Sequence, residues 1–210
     1  MDLKFEIDDV DMAFTYVNGV KGTLNQMDTM VLLNEMSHVP MNGKYVETGS
    51  YLGCSAVLAG LTMKRGTRVY CHDLWLEDMS MLSGDGIPPP IINDHLRTFY
   101  DNIKSNDLEG VVIPFRGDSS YTLGIHEDET IDLAFIDGDH SKEGVMKDLE
   151  SIFPKMKNES SILCHDCRPD TVTLDGVKEF CLKYNINDVI DFNGSSILKI
   201  IVKKNHRGES

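Results

Sequence analysis

Residues 44–53 read Lys44-Tyr45-Val46-Glu47-Thr48-Gly49-Ser50-Tyr51-Leu52-Gly53. An aromatic and β-branched run ends at two glycines, and an apolar stretch from about Cys54 to Lys64 follows. That is the order of a buried strand, a tight turn and a helix. Glycine lets the chain turn sharply and lets a ligand approach the backbone. A dinucleotide site places G-x-G-x-x-G here so that backbone amides cradle a pyrophosphate. In this chain the first glycine of that pattern is replaced by Glu47. A carboxylate there repels a pyrophosphate and suits a cationic group or a hydroxyl.

The same alternation runs outward in both directions. Residues 24–37 place Leu24, Met27, Val31 and Leu32 on one helical face, and residues 1–40 are expected to form an N-terminal helical segment. Downstream, strands are expected at Arg68–Asp73, Val111–Phe115, Ile131–Ile136 and Ser161–His165. Helices are expected around Ile92–Lys104, after Ser119, at Lys142–Met156 and around Leu174–Tyr184. The stretch Glu77–Pro90, with Ser83-Gly84-Asp85-Gly86 and three consecutive prolines, breaks the rhythm and is a candidate lid loop. The end of the chain reads as two strands joined at Asn193-Gly194, a hairpin dipeptide. Strands alternating with helices predict an α/β fold: a seven-stranded, mostly parallel sheet with helices on both faces and a C-terminal antiparallel hairpin.

At 210 residues this fits a single domain, 1–210, and 41% hydrophobic residues can build its core. No apolar run is long enough for a membrane span. The start of the chain, Met1 to Met12, is acidic and lacks a basic-then-apolar leader pattern. With five scattered cysteines, an odd number, this points to a reducing, cytoplasmic setting. Cys164 and Cys167 have C-x-x-C spacing, but no second pair completes a zinc site. The net charge of −14 argues against nucleic-acid and membrane-surface partners and suits a small neutral or cationic substrate. A homo-oligomer is compatible with all of this.

Four strand ends carry chemistry. Glu47, Gly49, Ser50 and Gly53 form the first, and the acid suits the ammonium of S-adenosylmethionine. Cys71-His72-Asp73-Leu74-Trp75 is the second; an acid at Asp73 can accept both hydroxyls of a ribose, whether in a methyl donor or in NAD. A plain loop cap is the bland reading of Asp73. Leu74 and Trp75 are placed to wall the same pocket. In Arg116-Gly117-Asp118-Ser119-Ser120, Asp118 could accept from an adenine amino group, and either Asp118 or Ser119 could simply cap a helix. The sharpest is Ile131-Asp132-Leu133-Ala134-Phe135-Ile136-Asp137-Gly138-Asp139-His140, whose neighbour in a parallel sheet is Cys164-His165-Asp166-Cys167. Asp137, His140, His165 and Asp166 can converge there. Two carboxylates could hold a hard divalent cation, and a histidine could take a proton from a substrate hydroxyl. His165 and Asp166 are adjacent in a strand end, where side chains point to opposite faces unless the chain bends.

Taken together, Val46–Ala56, Tyr70–Trp75, Arg116–Ser120, Ile131–Leu149 and Ile162–Cys167 resemble methyltransferase family 24 of the class I S-adenosylmethionine-dependent superfamily, which includes macrocin O-methyltransferase-like enzymes. The resemblance covers residues 43–167. It implies a Rossmann-like fold, S-adenosylmethionine as cofactor and O-methylation of a small-molecule hydroxyl, of sugar or natural-product type. By similarity, Glu47, Gly49, Ser50 and Gly53 surround the methionine part, Asp73 the ribose, and Asp118 and Ser119 the adenine. Asp137 borders the cofactor and matches a magnesium ligand of metal-dependent members, and His140 matches a position proposed as general base. The sugar methyltransferases often carry two adjacent acids after the fifth strand, where this chain has His165 and Asp166. A metal set of Asp137, His165 and Asp166 therefore suits magnesium less than manganese, iron or zinc. The alternatives are a non-catalytic S-adenosylmethionine-binding module and an NAD-linked oxidoreductase.

Overall fold

The structure is a computed structural model that describes residues 5–7, 15–76 and 95–204. The expected lid, Glu77–Pro90, lies outside the described residues. Seven strands form one sheet: β4 (Lys44–Thr48), β5 (Arg68–Asp73), β6 (Val112–Arg116), β7 (Ile131–Ile136), β8 (Met156–Cys164), β9 (Val189–Asp191) and β10 (Leu198–Ile201). Their order is β6-β5-β4-β7-β8-β10-β9. Pairing is parallel from β6 to β8, and β10 runs antiparallel to both β8 and β9. The strand order reverses at β4, so the carboxyl ends of β4 and β7 open a crevice at the switch point.

Helices cover both faces. The helices α1 (Gln26–His38), α2 (Cys54–Thr62) and α3 (His95–Ser105) bury Leu32, Met36, Leu58, Phe99 and Ile103 against Tyr45, Cys71, Phe135 and Leu163. On the other face α5 (Lys142–Ile152) and α6 (Val172–Lys183) bury Leu149, Ile152, Val177 and Phe180 against Val46, Ala134, Ile162 and Ile200. Strand alternation sends odd and even residues of β4 to opposite layers. A short α4 (Ser119–Thr122) precedes β7. Among the described residues no helix is long and apolar enough to cross a membrane.

Two expected boundaries shift, each for a visible reason. The helix expected to run to Met156 stops at Ile152, because Pro154 lacks an N–H and disfavours helix before it. The strand then begins at Met156, with a register irregularity against Ile131 and Leu133. The N-terminal segment is not helical throughout. A three-stranded antiparallel sheet, β1 (Phe5–Ile7), β2 (Thr15–Val17) and β3 (Val20–Gly22), precedes α1. Asn18 and Gly19, at φ 48° and 84°, form the two-residue turn between β2 and β3.

A pair of neutral histidines sits in the second layer. His72 of β5 and His126 are 0% and 4% exposed, with their Nε2 atoms 3.0 Å apart. His72 Nδ1 lies 2.9 Å from Thr122 Oγ1. Burial pushes His72 down to about 3, helped by the facing His126. Burial, with Lys44 and Lys155 nearby, pushes His126 down to about 4. The unfolded chain titrates near ~6.5, so above that pH neither state carries extra protons. Below it the unfolded chain takes up protons that the folded pair refuses. Stability is therefore expected to fall with acidification from ~6.5, by up to ~1.4 kcal/mol per pH unit per histidine, until the folded values are reached. Melting temperature against pH for wild type and His126→Gln checks this. The variant should lose less stability between about pH 6.5 and 4.5; equal slopes would remove the histidine pair as the cause.

Candidate active site

The β4 turn is built around Gly49, at φ 80°, and Gly53, at φ 90°, which also starts α2. Gly49 N donates to His72 O at 2.9 Å and Asp137 N donates to Thr48 O at 3.0 Å, so the ends of β5, β4 and β7 are laced together. A narrow cleft lies on this turn, lined by Lys21, Gly22, Thr23, Leu24, Gly49, Ser50 and Asp137 among others. The segment after β3 forms its outer wall, a contribution that the helical reading of residues 1–40 does not contain.

Glu47 lies beneath the turn. It shares a strand face with Tyr45, so it points beneath α2 and is wholly buried. Its carboxylate accepts from Tyr45 Oη at 3.0 Å and Cys71 Sγ at 3.4 Å, with Ser50 and Ser55 also facing it. Burial raises its pKa against those donors. It buttresses the turn from below, through Ser50 and Ser55.

Asp73 ends β5 beside that turn. Its Oδ2 accepts from Tyr51 N at 2.7 Å and its Oδ1 from Trp75 N at 2.6 Å. Each oxygen keeps one lone pair for another donor. Burial raises its pKa, and the two backbone N–H groups work against that. Trp75 is 3% exposed, packs on Phe99 with ring centroids 4.9 Å apart, and donates from Nε1 to Tyr51 O. Leu74 is exposed. Asp118 is the N-cap of α4, accepting from Ser120 N at 2.9 Å, and pairs with Lys147 at 2.8 Å. That partner, first of all, holds its pKa below the ordinary value. Ser119 donates to Asp148, which also accepts from Thr48 Oγ1.

The two strand ends meet as expected. His165 N donates to Ile136 O, setting β8 beside β7. Asp166 adopts φ 54°, and this left-handed residue supplies the bend that the sequence requires. Asp137, His140 and Asp166 thereby offer three ligand atoms within 4.8 Å of one another. His140 Nε2 lies 3.0 Å from Asp166 Oδ2 and 3.6 Å from Asp137 Oδ1. These carboxylates push His140 up to about 10, Asp137 contributing most. Asp166 is held well below the usual carboxylate range, by His140 first and then His165. His165 is 4% exposed, with Nδ1 2.9 Å from Asp137 Oδ1. Burial alone would lower it, but the surrounding carboxylates of Asp137, Asp166 and Asp28 push it up to about 12.

Asp28, Ser195 and Ser196 are the site residues that motif reading misses. Asp28 is 1% exposed and contacts His165 Nε2 at 3.3 Å from 137 positions away. The local signal, Asn25-x-x-Asp28, announces only a capping box at the start of α1. Cys164 and Cys167 are buried free cysteines whose pKa values burial pushes up, Cys167 to about 12. Both are thiols at neutral pH.

Residues 46–167 match the family described as "Methyltransferase domain". No curated protein matches the chain in sequence. Among solved structures, the chain is similar to the O-methyltransferase NovP, with TM-score 0.64 and 19% identity, over 84% of this chain and 79% of that one. It is similar to cofactor-bound Rv0187 from MTB, with TM-score 0.64 and 14% identity, over 87% and 82%. It is also similar to the O-methyltransferase from Bacillus cereus in complex with SAH, with TM-score 0.56 and 15% identity, over 82% and 78%. At such identities the solved structures speak for the fold, and the family match covers more than half of the chain. The chain belongs to the methyltransferase-domain family and has the fold of the class I S-adenosylmethionine-dependent methyltransferases.

Proposed function

We propose that this protein transfers the methyl group of S-adenosylmethionine to a hydroxyl oxygen of a small molecule. The observation that carries the reading is the position of Asp137, which borders the cleft on the glycine turn and also belongs to the acid–histidine cluster. Donor and acceptor chemistry thus meet at one residue. Gly49, Ser50 and Gly53 would receive the methionine part of the cofactor, Asp73 the ribose, and Asp118 with Ser119 the adenine end. Trp75 would wall the pocket. The acceptor is of sugar or natural-product type in this reading.

Methyl transfer is a displacement at sulfonium in which the enzyme aligns two reactants and takes up the acceptor's proton. His140 stands where such a proton would be taken, but between two carboxylates it is protonated at neutral pH. It can serve as a base only when their charge is otherwise committed. The two carboxylates of the cluster, Asp137 and Asp166, fit a divalent cation: each offers an oxygen, and the two lie within 4.8 Å of one another. Asp137 and Asp166 would hold such an ion, which when bound lowers the pKa of an acceptor hydroxyl. Asp137 would then orient the acceptor next to the donor, and His140, released from its ion pairs, would accept the proton.

Calorimetry with S-adenosylmethionine, S-adenosylhomocysteine and NAD tests the assignment, followed by transfer assays on hydroxyl acceptors. The first two are expected to bind and NAD to fail. Asp73→Ala is expected to weaken cofactor binding about 10- to 150-fold, the loss of a charge-assisted hydrogen bond of ~1.5–3 kcal/mol. Asp73→Asn, which keeps one acceptor for the Tyr51–Trp75 turn, should lie between the two. Binding of NAD alone, or wild-type affinity in Asp73→Ala, would refute the reading.

A further inference from the structure

We propose that Lys21 binds the carboxylate at the amino-acid end of the methyl donor, and so selects donors that carry an intact α-amino acid. The inference rests on the S-adenosylmethionine reading given above and adds a residue to that site.

Lys21 owes its place to strand alternation. In β3, Val20 and Gly22 are buried while Lys21 between them is exposed. Val17 and Val20 share a core with Val57 and Leu58 of α2. The β2–β3 hairpin is thus moored on the helix that Gly53 starts, and Lys21 is turned away from that core. Lys21 is paired with Tyr16 across the hairpin, and Leu24, 3% exposed, anchors the chain again just before α1. Its backbone is therefore fixed on both sides, while the residue lines the cleft together with Gly49, Ser50 and Asp137.

Two side chains of opposite charge border this cleft, Lys21 and Asp137. An α-amino acid carries a carboxylate and an ammonium on one carbon, so a cleft with both signs complements it. The setting makes the cation matter. The chain has a net charge of −14, and Asp73, Asp137 and Asp166 stand at neighbouring strand ends. A ligand carboxylate entering that field is repelled unless a cation stands beside it. Lysine suits the task, because its flexible stem brings three N–H donors to carboxylate oxygens. The nucleoside part of the donor is neutral and has no group to answer Lys21. The cleft lies on the glycine turn, where the amino-acid end of the donor belongs, so the carboxylate is the donor's and not the acceptor's.

The experiment is calorimetric titration of the full-length protein with S-adenosylhomocysteine and with its decarboxylated analogue, which keeps the amine. Wild type, Lys21→Met, Lys21→Arg and Lys21→Glu are compared. Lys21→Met is expected to weaken S-adenosylhomocysteine about 5- to 30-fold, the range of a charge-assisted hydrogen bond at a partly screened position, and to leave the analogue within about 2-fold. Lys21→Arg should keep most of the affinity. Lys21→Glu should weaken S-adenosylhomocysteine further and tighten the analogue, whose remaining charge is positive. The wild-type preference for S-adenosylhomocysteine should also shrink as NaCl is raised from about 50 to 500 mM. Equal losses for both ligands in Lys21→Met, the result of a merely structural role, would overturn the inference. So would wild-type affinity for S-adenosylhomocysteine in Lys21→Met and Lys21→Glu. Should Lys21→Met fail to fold, Lys21→Gln carries the same comparison with the same expected outcomes. Binding of S-adenosylhomocysteine that ignores the charge at position 21 refutes this inference alone. Binding of neither compound by wild type refutes the S-adenosylmethionine reading, and the inference with it.

Discussion

Gly49→Ala is expected to destabilise the protein by more than ~3 kcal/mol, a fall in melting temperature of at least about 6–12 °C for a chain of this size. Two effects add. The residue sits at φ 80°, where a side chain costs on the order of 1–2 kcal/mol. A Cβ there would also lie 1.9 Å from the carbonyl oxygen and 2.4 Å from the carbonyl carbon of Asp137. Those are backbone atoms at a strand end, so no rotamer change relieves the clash. The Asp137 peptide must move, and with it the 3.0 Å bond from its N–H to Thr48 O. The same movement displaces Asp137 from its two histidines, so whatever fraction folds should also lose cofactor and cation binding. Gly19→Ala separates the two effects, since Gly19 has φ 84° and nothing within 4 Å of its Cβ position. It should cost only the conformational part, about 1 kcal/mol. A Gly49→Ala protein melting within a degree or two of Gly19→Ala would show that β7 yields easily and that the turn is not rigid.

The contact between Gly49 and Asp137 also shows what a sequence carries and what it withholds. The strand, the glycine turn and the helix of residues 44–62 are legible because periodicity and glycine act locally. The convergence of Asp137, His140 and Asp166 is legible because successive strands of a parallel sheet end side by side. The left-handed conformation of Asp166, which brings His165 and Asp166 to one place, is only a requirement at that stage. The burial of Glu47 is legible too, since strand alternation pairs it with Tyr45 on the buried face. The β2–β3 hairpin had its signal in Asn18-Gly19, masked by strands of only three residues. Asp28 could not be found locally: its partner His165 and the hairpin serines are brought to it only by the packing of α1 against the far end of the sheet.

Asp137→Asn is expected to lower methyl transfer about 10²- to 10⁴-fold, the range associated with loss of acid–base function, with a smaller change in cofactor affinity. Asparagine keeps the shape and the backbone bond to Thr48, so the loss reports charge. In wild type that charge does two things. It holds His165 at 2.9 Å and His140 at 3.6 Å, and it is the largest cause of the rise of His140 to about 10. A base acts in its deprotonated form, so rate is present above its pKa and is lost as pH falls through it. In chelator, the acid limb of the wild-type profile is therefore expected near pH 10. With Mn(II) added, the charge of Asp137 and Asp166 is committed, and the limb should move down toward ~6.5, the value of an unperturbed histidine. Asp137→Asn in chelator should shift the limb the same way while the plateau falls. His140→Ala should abolish the limb in every condition. The measurement is kcat against pH for the three proteins, with and without Mn(II). A limb that neither Mn(II) nor Asp137→Asn displaces would assign the proton to a group outside this cluster, and full activity in Asp137→Asn would remove Asp137 from the chemistry.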